Sequence, residues 1–171
     1  MRKGYIQVYT GNGKGKTTAS LGLALRAAGA GMKVFIGQFI KAEICSEHRA
    51  LERFADLISI RRFGSGLIRN KPTEADVAAA LAGLLAAGEA LQSKLYDMVI
   101  LDEINVAVHL GLIGVDDVLR LMREKPPEVE LVLTGRYADE RVVAEADLVT
   151  EMHEVKHYFE KGVKARRGVE K

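Results

Sequence analysis

Short, almost unbroken apolar runs recur along the chain, separated by stretches in which apolar residues return every third or fourth position. Tyr5 to Thr10 (YIQVYT), Lys33 to Phe39 (KVFIGQF), Leu57 to Phe63 (LISIRRF), Met98 to Leu101 (MVIL) and Glu130 to Thr134 (ELVLT) have the length and residue types of strands. Lys16 to Ala30 spaces Leu21, Leu25 and Ala28 as a helix does, and Gly29 and Gly31 punctuate its end. Thr73 to Leu95 predicts a long helix: Pro72 precedes a capping Thr73, and Asp76 follows three residues on. Its Val77, Leu81, Leu84, Leu85, Leu91 and Leu95 share one face, expected to be core, while Gly83 and Gly88 lower the helix propensity. Val115 to Glu124 and Asp139 to Glu145 predict helices around the last strand. Strands alternating with helices imply crossover units, hence an α/β fold with a mostly parallel sheet and helices on both faces.

Nothing in the pattern divides the chain, so one domain over residues 1–171 is expected, long enough to bury about 70% of its unfolded surface. Ala42 to Lys71 is the least legible part, readable as an ordinary connection or as a loop over a site. The net charge of +2 gives no ground for a nucleic-acid or membrane partner. Cys45 is the single cysteine, which excludes a disulfide framework and a cysteine-based zinc site; an inert thiol is expected. Met1-Arg2-Lys3 leads into a strand without a signal-peptide core, and no apolar run approaches membrane-spanning length, so a cytoplasmic location is expected.

The chemistry is concentrated at two strand ends. Tyr9 to Ser20 (YTGNGKGKTTAS) closes with Gly15-Lys16-Thr17, the end of a phosphate-binding loop. The usual spacing, G-x-x-x-x-G-K-[ST], asks for glycine where Thr10 stands; here the glycine is one place later, at Gly11, and Lys14 is an additional cation. Gly11, Gly13 and Gly15 let the backbone wrap an anion, Lys16 brings a charge to phosphate oxygens, and the Thr17 hydroxyl suits a magnesium ion. Asp102-Glu103, at the tip of the buried strand from Met98, has the form of the acidic half of such a site. These halves leave the reaction open between hydrolysis, phosphoryl transfer and attack on the ribose of ATP. The protein classes that remain are a transferase and an ATPase module that switches a partner protein.

TGNGKGKTT (10–18), QFIK (38–41), VILDEINVAVHLGL (99–112), ELVLTGR (130–136), ADLVTEM (146–152) and VKHYFEKGVKARRGVE (155–170) occur in this order. Together they resemble the P-loop corrinoid adenosyltransferases, which act on cob(I)yrinic acid a,c-diamide or cob(I)alamin, over nearly the whole chain. The resemblance implies a RecA-like fold, a homodimer, and transfer of the 5′-deoxyadenosyl group of ATP to the Co(I) of a reduced corrinoid with release of tripolyphosphate. It implies Mg²⁺ or Mn²⁺, a flavin-linked reductase as partner, and a nucleotide lying reversed across the loop. Carried over residue by residue, Gly11, Asn12, Gly13, Lys14, Gly15, Lys16, Thr17 and Thr18 form the triphosphate cradle. Lys16 and Thr17 carry the catalytic roles, Thr17 and Glu103 are expected metal ligands with Asp102 second-shell or alternate, and Arg136 is expected to reach the nucleotide.

Relatives often carry aromatic residues near the third strand, beneath the corrin. This chain has Gly64-Ser65-Gly66-Leu67-Ile68-Arg69 there, which leaves Leu67 and Ile68 as candidates for an apolar floor. The N-terminal extension of some relatives is expected to be missing. Co(I) carries no proton to remove, so His48, His109, His153 and His157 need no catalytic role; His109 is expected to be a packed helix residue. The basic tail, with Lys156, Lys161, Lys164, Arg166, Arg167 and Lys171, is read either as a solvated terminus or as a segment folding toward the triphosphate.

Overall fold

The apolar runs become strands within one residue of their predicted limits. In a computed structural model, which describes residues 3–66, 68 and 71–170, β1 spans Ile6–Thr10, β2 Val34–Phe39, β3 Ile58–Phe63, β4 Met98–Asp102 and β5 Glu130–Thr134. A sixth strand, β6 (Leu148–Glu151), had no signal in the apolar pattern, because all four of its residues are exposed and its pairing is through backbone. The strands form one sheet in the order β3-β2-β4-β5-β1-β6, and every pairing is parallel. All six residues of β2 and all five of β4 are buried, as expected for a parallel sheet covered on both faces.

Side chains alternate between the two faces. One face carries Ile36, Ile100 and Val132 and packs against α1 (Lys16–Gly29) and α2 (Ser46–Leu51). The other carries Phe35, Phe39, Val99, Leu101, Leu131 and Leu133. It is covered by α3 (Glu74–Gln92), α4 (Ile104–His109), α5 (Val115–Glu124) and α6 (Glu140–Glu145). Of α2, α4 and α6, six residues each, α6 was expected from Asp139 to Glu145 and α4 only through His109, while α2 falls in the least legible stretch of the sequence. Among the described residues, no helix is long and apolar enough to cross a membrane.

Helix α3 corrects the sequence reading. Its cap is as expected: the Thr73 hydroxyl accepts the Asp76 N–H and the Asp76 carboxylate accepts the Thr73 N–H. Its buried face, however, is made of Ala80, Gly83, Ala86, Ala87 and Ala90 with Leu91. Val77 and Leu84 pack half-buried against the core as expected, whereas Leu81 and Leu85 are 47% and 66% exposed, and Leu95, 61% exposed, lies beyond the end of the helix. The cause is the bulk already on the sheet. A Cβ at Gly83 would lie 2.8 Å from both the Phe39 and the Phe63 ring, so only a face of small residues lets the helix approach. Leu25 of α1 is likewise exposed, and Ser20, Ala24, Ala27 and Ala28 face the sheet.

Two glycine substitutions in this helix should therefore have opposite signs. Gly83→Ala is expected to destabilise the fold by about 1–3 kcal/mol through overpacking, partly offset by helix propensity. Gly88→Ala, where an added Cβ meets nothing within 4 Å, is expected to stabilise it by up to about 1 kcal/mol. Equilibrium urea unfolding measures both, and a Gly83→Ala chain as stable as Gly88→Ala would contradict the close approach.

Candidate active site

The shifted glycine has a structural reason. Thr10 is still strand, opposite Glu151 of β6, and its carbonyl accepts the Met152 N–H at 2.9 Å. The chain first turns to positive φ at Gly11 (89°), so the glycine is needed there and not at position 10. Sequence reasoning gave Gly11 and Gly13 to the anion alone, but the backbone after β6 also demands them. A Cβ at either would lie 2.5 Å or 2.7 Å from the Met152 carbonyl oxygen, which accepts the Gly13 N–H at 2.6 Å. Gly15, at φ 118°, stands immediately before α1.

Lys16 is only 6% exposed, and its ammonium donates to the carbonyls of Gly11 and Gly13, each at 2.7 Å. Burial lowers its pKa, opposed by the carboxylates of Glu103 and Asp102 and assisted by Arg136. Asn12, Lys14 and Thr18 are exposed around the loop.

The acidic half is built by sheet register. Gln38 of β2 pairs with Asp102 of β4, and Leu101 pairs with Leu133, which brings Asp102 beside Thr134 of β5. These residues continue the row of Ile36, Ile100 and Val132, so they project to the α1 side. Asp102 is 1% exposed and takes three donors: Thr17 Oγ1 at 2.9 Å and Thr134 Oγ1 at 2.7 Å on Oδ1, and Gln38 Nε2 at 3.0 Å on Oδ2. Because the Thr17 hydroxyl donates to Asp102, its lone pairs are left for another partner. Glu103 follows in the left-handed region (φ 62°), its N–H donating to Thr134 Oγ1. Burial raises the pKa of Glu103, and the neighbouring Asp102 raises it further, against Lys16, Arg136 and Lys41. A hydroxyl and two carboxylates make a hard oxygen set that suits Mg²⁺ or Mn²⁺.

Ile40, Glu103 and Tyr137, at φ 62°, 62° and 60°, follow β2, β4 and β5 at this same edge of the sheet. Non-glycine residues in this conformation each cost of order 1 kcal/mol, and such strain collects at functional edges. Arg136 is exposed, yet close enough to act on both Lys16 and Glu103. The phosphate loop, the carboxylates and Arg136 thus meet at the carboxyl ends of β1, β4 and β5, where parallel α/β sheets bind ligands.

The family model for the ATP:corrinoid adenosyltransferases BtuR/CobO/CobP matches residues 2–170. A corrinoid adenosyltransferase of Sinorhizobium is 41% identical, the match covering 98% of this chain and 80% of that protein. The corrinoid adenosyltransferase of Pseudomonas aeruginosa is 38% identical over 98% and 84%, and that of Salmonella typhimurium, CobA, 36% over 98% and 86%. The chain belongs to the ATP:corrinoid adenosyltransferase family. Its activity is accordingly the transfer of the adenosyl group of ATP to a corrinoid.

With the family established, the remaining candidates can be placed. Ile68 is half-buried against the core, and Leu67 lies outside the described residues. His109 is exposed at the end of α4, stacked on Tyr137 with ring centroids 4.2 Å apart, and so is not the packed residue expected. Cys45 caps α2 beside Glu47 and His48, but Glu47 is paired with Lys41 and both nitrogens of His48 are engaged. In the tail, Lys156, Lys161, Lys164, Arg166 and Arg167 are exposed. A clasp joins Glu170 to the Tyr158 hydroxyl and Arg166, holding the Glu170 carboxyl down at about 2. Met152, just ahead of the tail, is what reaches the phosphate loop.

Sequence reasoning missed Gln38 and Thr134 as parts of the site. Their signal was a polar residue in an otherwise apolar, buried strand, since such a group must find a partner. Thr134→Val keeps the shape but removes a donor to Asp102 and the acceptor of the Glu103 N–H. It is expected to lower stability by about 1–3 kcal/mol, read from the urea midpoint, and a change within ±0.3 kcal/mol would show that Asp102 does not depend on it.

Proposed function

We propose that this chain transfers the 5′-deoxyadenosyl group by gripping the triphosphate of ATP as a leaving group. The observation that carries the reading is the hydrogen bond between Thr17, at the start of α1, and the buried Asp102, at the end of β4, with the buried Lys16 alongside. In this reading the Co(I) of the reduced corrinoid attacks the ribose 5′-carbon. A cobalt–carbon bond forms, cobalt becomes Co(III), and the C5′–O bond breaks with its electron pair leaving on the intact tripolyphosphate. No proton has to be moved, in keeping with a site whose buried charged groups are a lysine and carboxylates.

Lys16 and Lys14 meet the charge that grows on the departing oxygens, worth most where water is excluded. Arg136 adds a third cation at the same edge. Thr17 and Glu103 would hold the divalent ion, Mg²⁺ or Mn²⁺, and Asp102, accepting the Thr17 hydroxyl proton, leaves the lone pairs of that oxygen for it. That ion would supply charge neutralisation on the phosphate oxygens. The family further supports a RecA-like classification, a reversed nucleotide, a homodimer and a flavin-linked reductant. The described part of the 64–68 segment offers Ile68 for the corrinoid floor.

Product analysis tests the reaction. Tripolyphosphate is expected only when ATP and a reduced corrinoid are both present. ADP and orthophosphate appearing without corrinoid would instead identify an ATPase module. Lys16→Ala is expected to lower adenosyl transfer about 10²–10³-fold, the loss typical of removing one preorganised charge-stabilising group. Transfer within about threefold of wild type, followed by the spectrum of the alkylated corrinoid, would remove Lys16 from the mechanism.

A further inference from the structure

Helix α2 places one side chain against the back of the carboxylate row. His48 is 7% exposed; its Nδ1 accepts the Cys45 N–H at 2.9 Å and its Nε2 lies 2.7 Å from Gln38 Oε1. Gln38 is fully buried, and its amide nitrogen donates to Asp102. The direction of every link is determined by chemistry. A carboxylate only accepts, so Gln38 must turn its NH₂ toward Asp102 and its oxygen toward His48. His48 must then donate from Nε2, which leaves Nδ1 bare to accept the one backbone N–H it faces. No other flip or tautomer satisfies all four groups.

We propose that His48 is a positioning residue for the active site: it locks the Gln38 amide, which holds the Asp102 carboxylate against Thr17. This rests on the reading of Thr17 and Glu103 as the metal–nucleotide site. It also joins the 41–51 segment to that site. Lys41 and Glu47 form an ion pair that flanks His48, so a shift of α2 is transmitted through two buried side chains to the hydroxyl that faces the metal. A residue that only filled space would need none of these directed bonds.

The test uses the full chain and binding of Mn²⁺–ATP, followed by the electron paramagnetic resonance of Mn²⁺, with urea unfolding alongside. In His48→Gln the amide nitrogen stands near the place of Nε2 and keeps the donor to Gln38. In His48→Asn the side-chain oxygen stands near the place of Nδ1 and keeps only the Cys45 contact. His48→Asn is expected to weaken Mn²⁺–ATP binding about tenfold, the low end for losing an outer-shell partner, while His48→Gln stays within about threefold of wild type. Because the links act in series, His48→Asn combined with Gln38→Leu should bind no more weakly than Gln38→Leu alone. Equal weakening by Gln and Asn, additive losses, or losses that follow the urea midpoints would overturn the proposal and leave His48 a packing residue. A wild-type chain that forms no Mn²⁺–ATP complex would overturn the proposal together with the reading beneath it.

Discussion

A buried carboxylate is the constraint around which this site is organised. Removing an ionised carboxyl group from water costs several kcal/mol unless its oxygens are hydrogen-bonded, and Asp102 is essentially inaccessible to solvent. Three neutral donors answer that cost, and each comes from a different element: Gln38 from β2, Thr134 from β5 and Thr17 from α1. Strand order makes this possible. β4 lies between β2 and β5, so the flanking residues of one row reach the carboxylate without any loop. β5 in turn separates β4 from β1, and Thr17 comes over from the helix that β1 launches. The phosphate loop and the acidic strand are consequently one hydrogen-bonded unit.

The same unit explains why glycine is displaced in the loop. β1 must pair through Thr10 to hold β6, and β6 carries the chain to Met152, whose carbonyl bonds Gly13. An earlier turn would break that pairing. The loop is therefore shaped by two demands that coincide at Gly11 and Gly13: the positive φ or close approach that an anion cradle needs, and the tight passage of the backbone after β6. Lys14 and Lys16 then divide, with one side chain exposed and the other buried on loop carbonyls.

What was legible in the sequence followed from how local the signal is. β2, β4 and β5 were read to within one residue because a strand covered on both faces is a continuous apolar run, and the only partly buried β1 and β3 through their β-branched and aromatic residues. β6 was invisible because it is an exposed edge held by backbone pairing, and α2 because its few residues lie in a stretch with no apolar period. The face of α3 was misread in part, at Leu81 and Leu85, for a different reason. Leucines mark a core face only where there is room for them, and the Phe39 and Phe63 rings had already taken that room. For the site, the loop and Asp102-Glu103 stood out by spacing, whereas Gln38, Thr134 and His48 become partners only through sheet register and the docking of α2. Those are tertiary facts with no local trace beyond polarity in an apolar context.

The distribution of charge bears on which chemistry the site favours. A hydrolase needs a group that orients and deprotonates water. Here Glu103 is held in the left-handed conformation beside Asp102, and burial first, then the Asp102 charge, raises the pKa of its carboxyl. Cationic partners relieve both effects: they offset the like charge and restore the carboxylate. Lys16 and Arg136 supply part of this, and a divalent ion on the same oxygens would supply the rest. A carboxylate committed to a cation is a poor base and a good ligand. The cations gathered at this edge would neutralise a departing polyphosphate, which displacement at the ribose carbon requires.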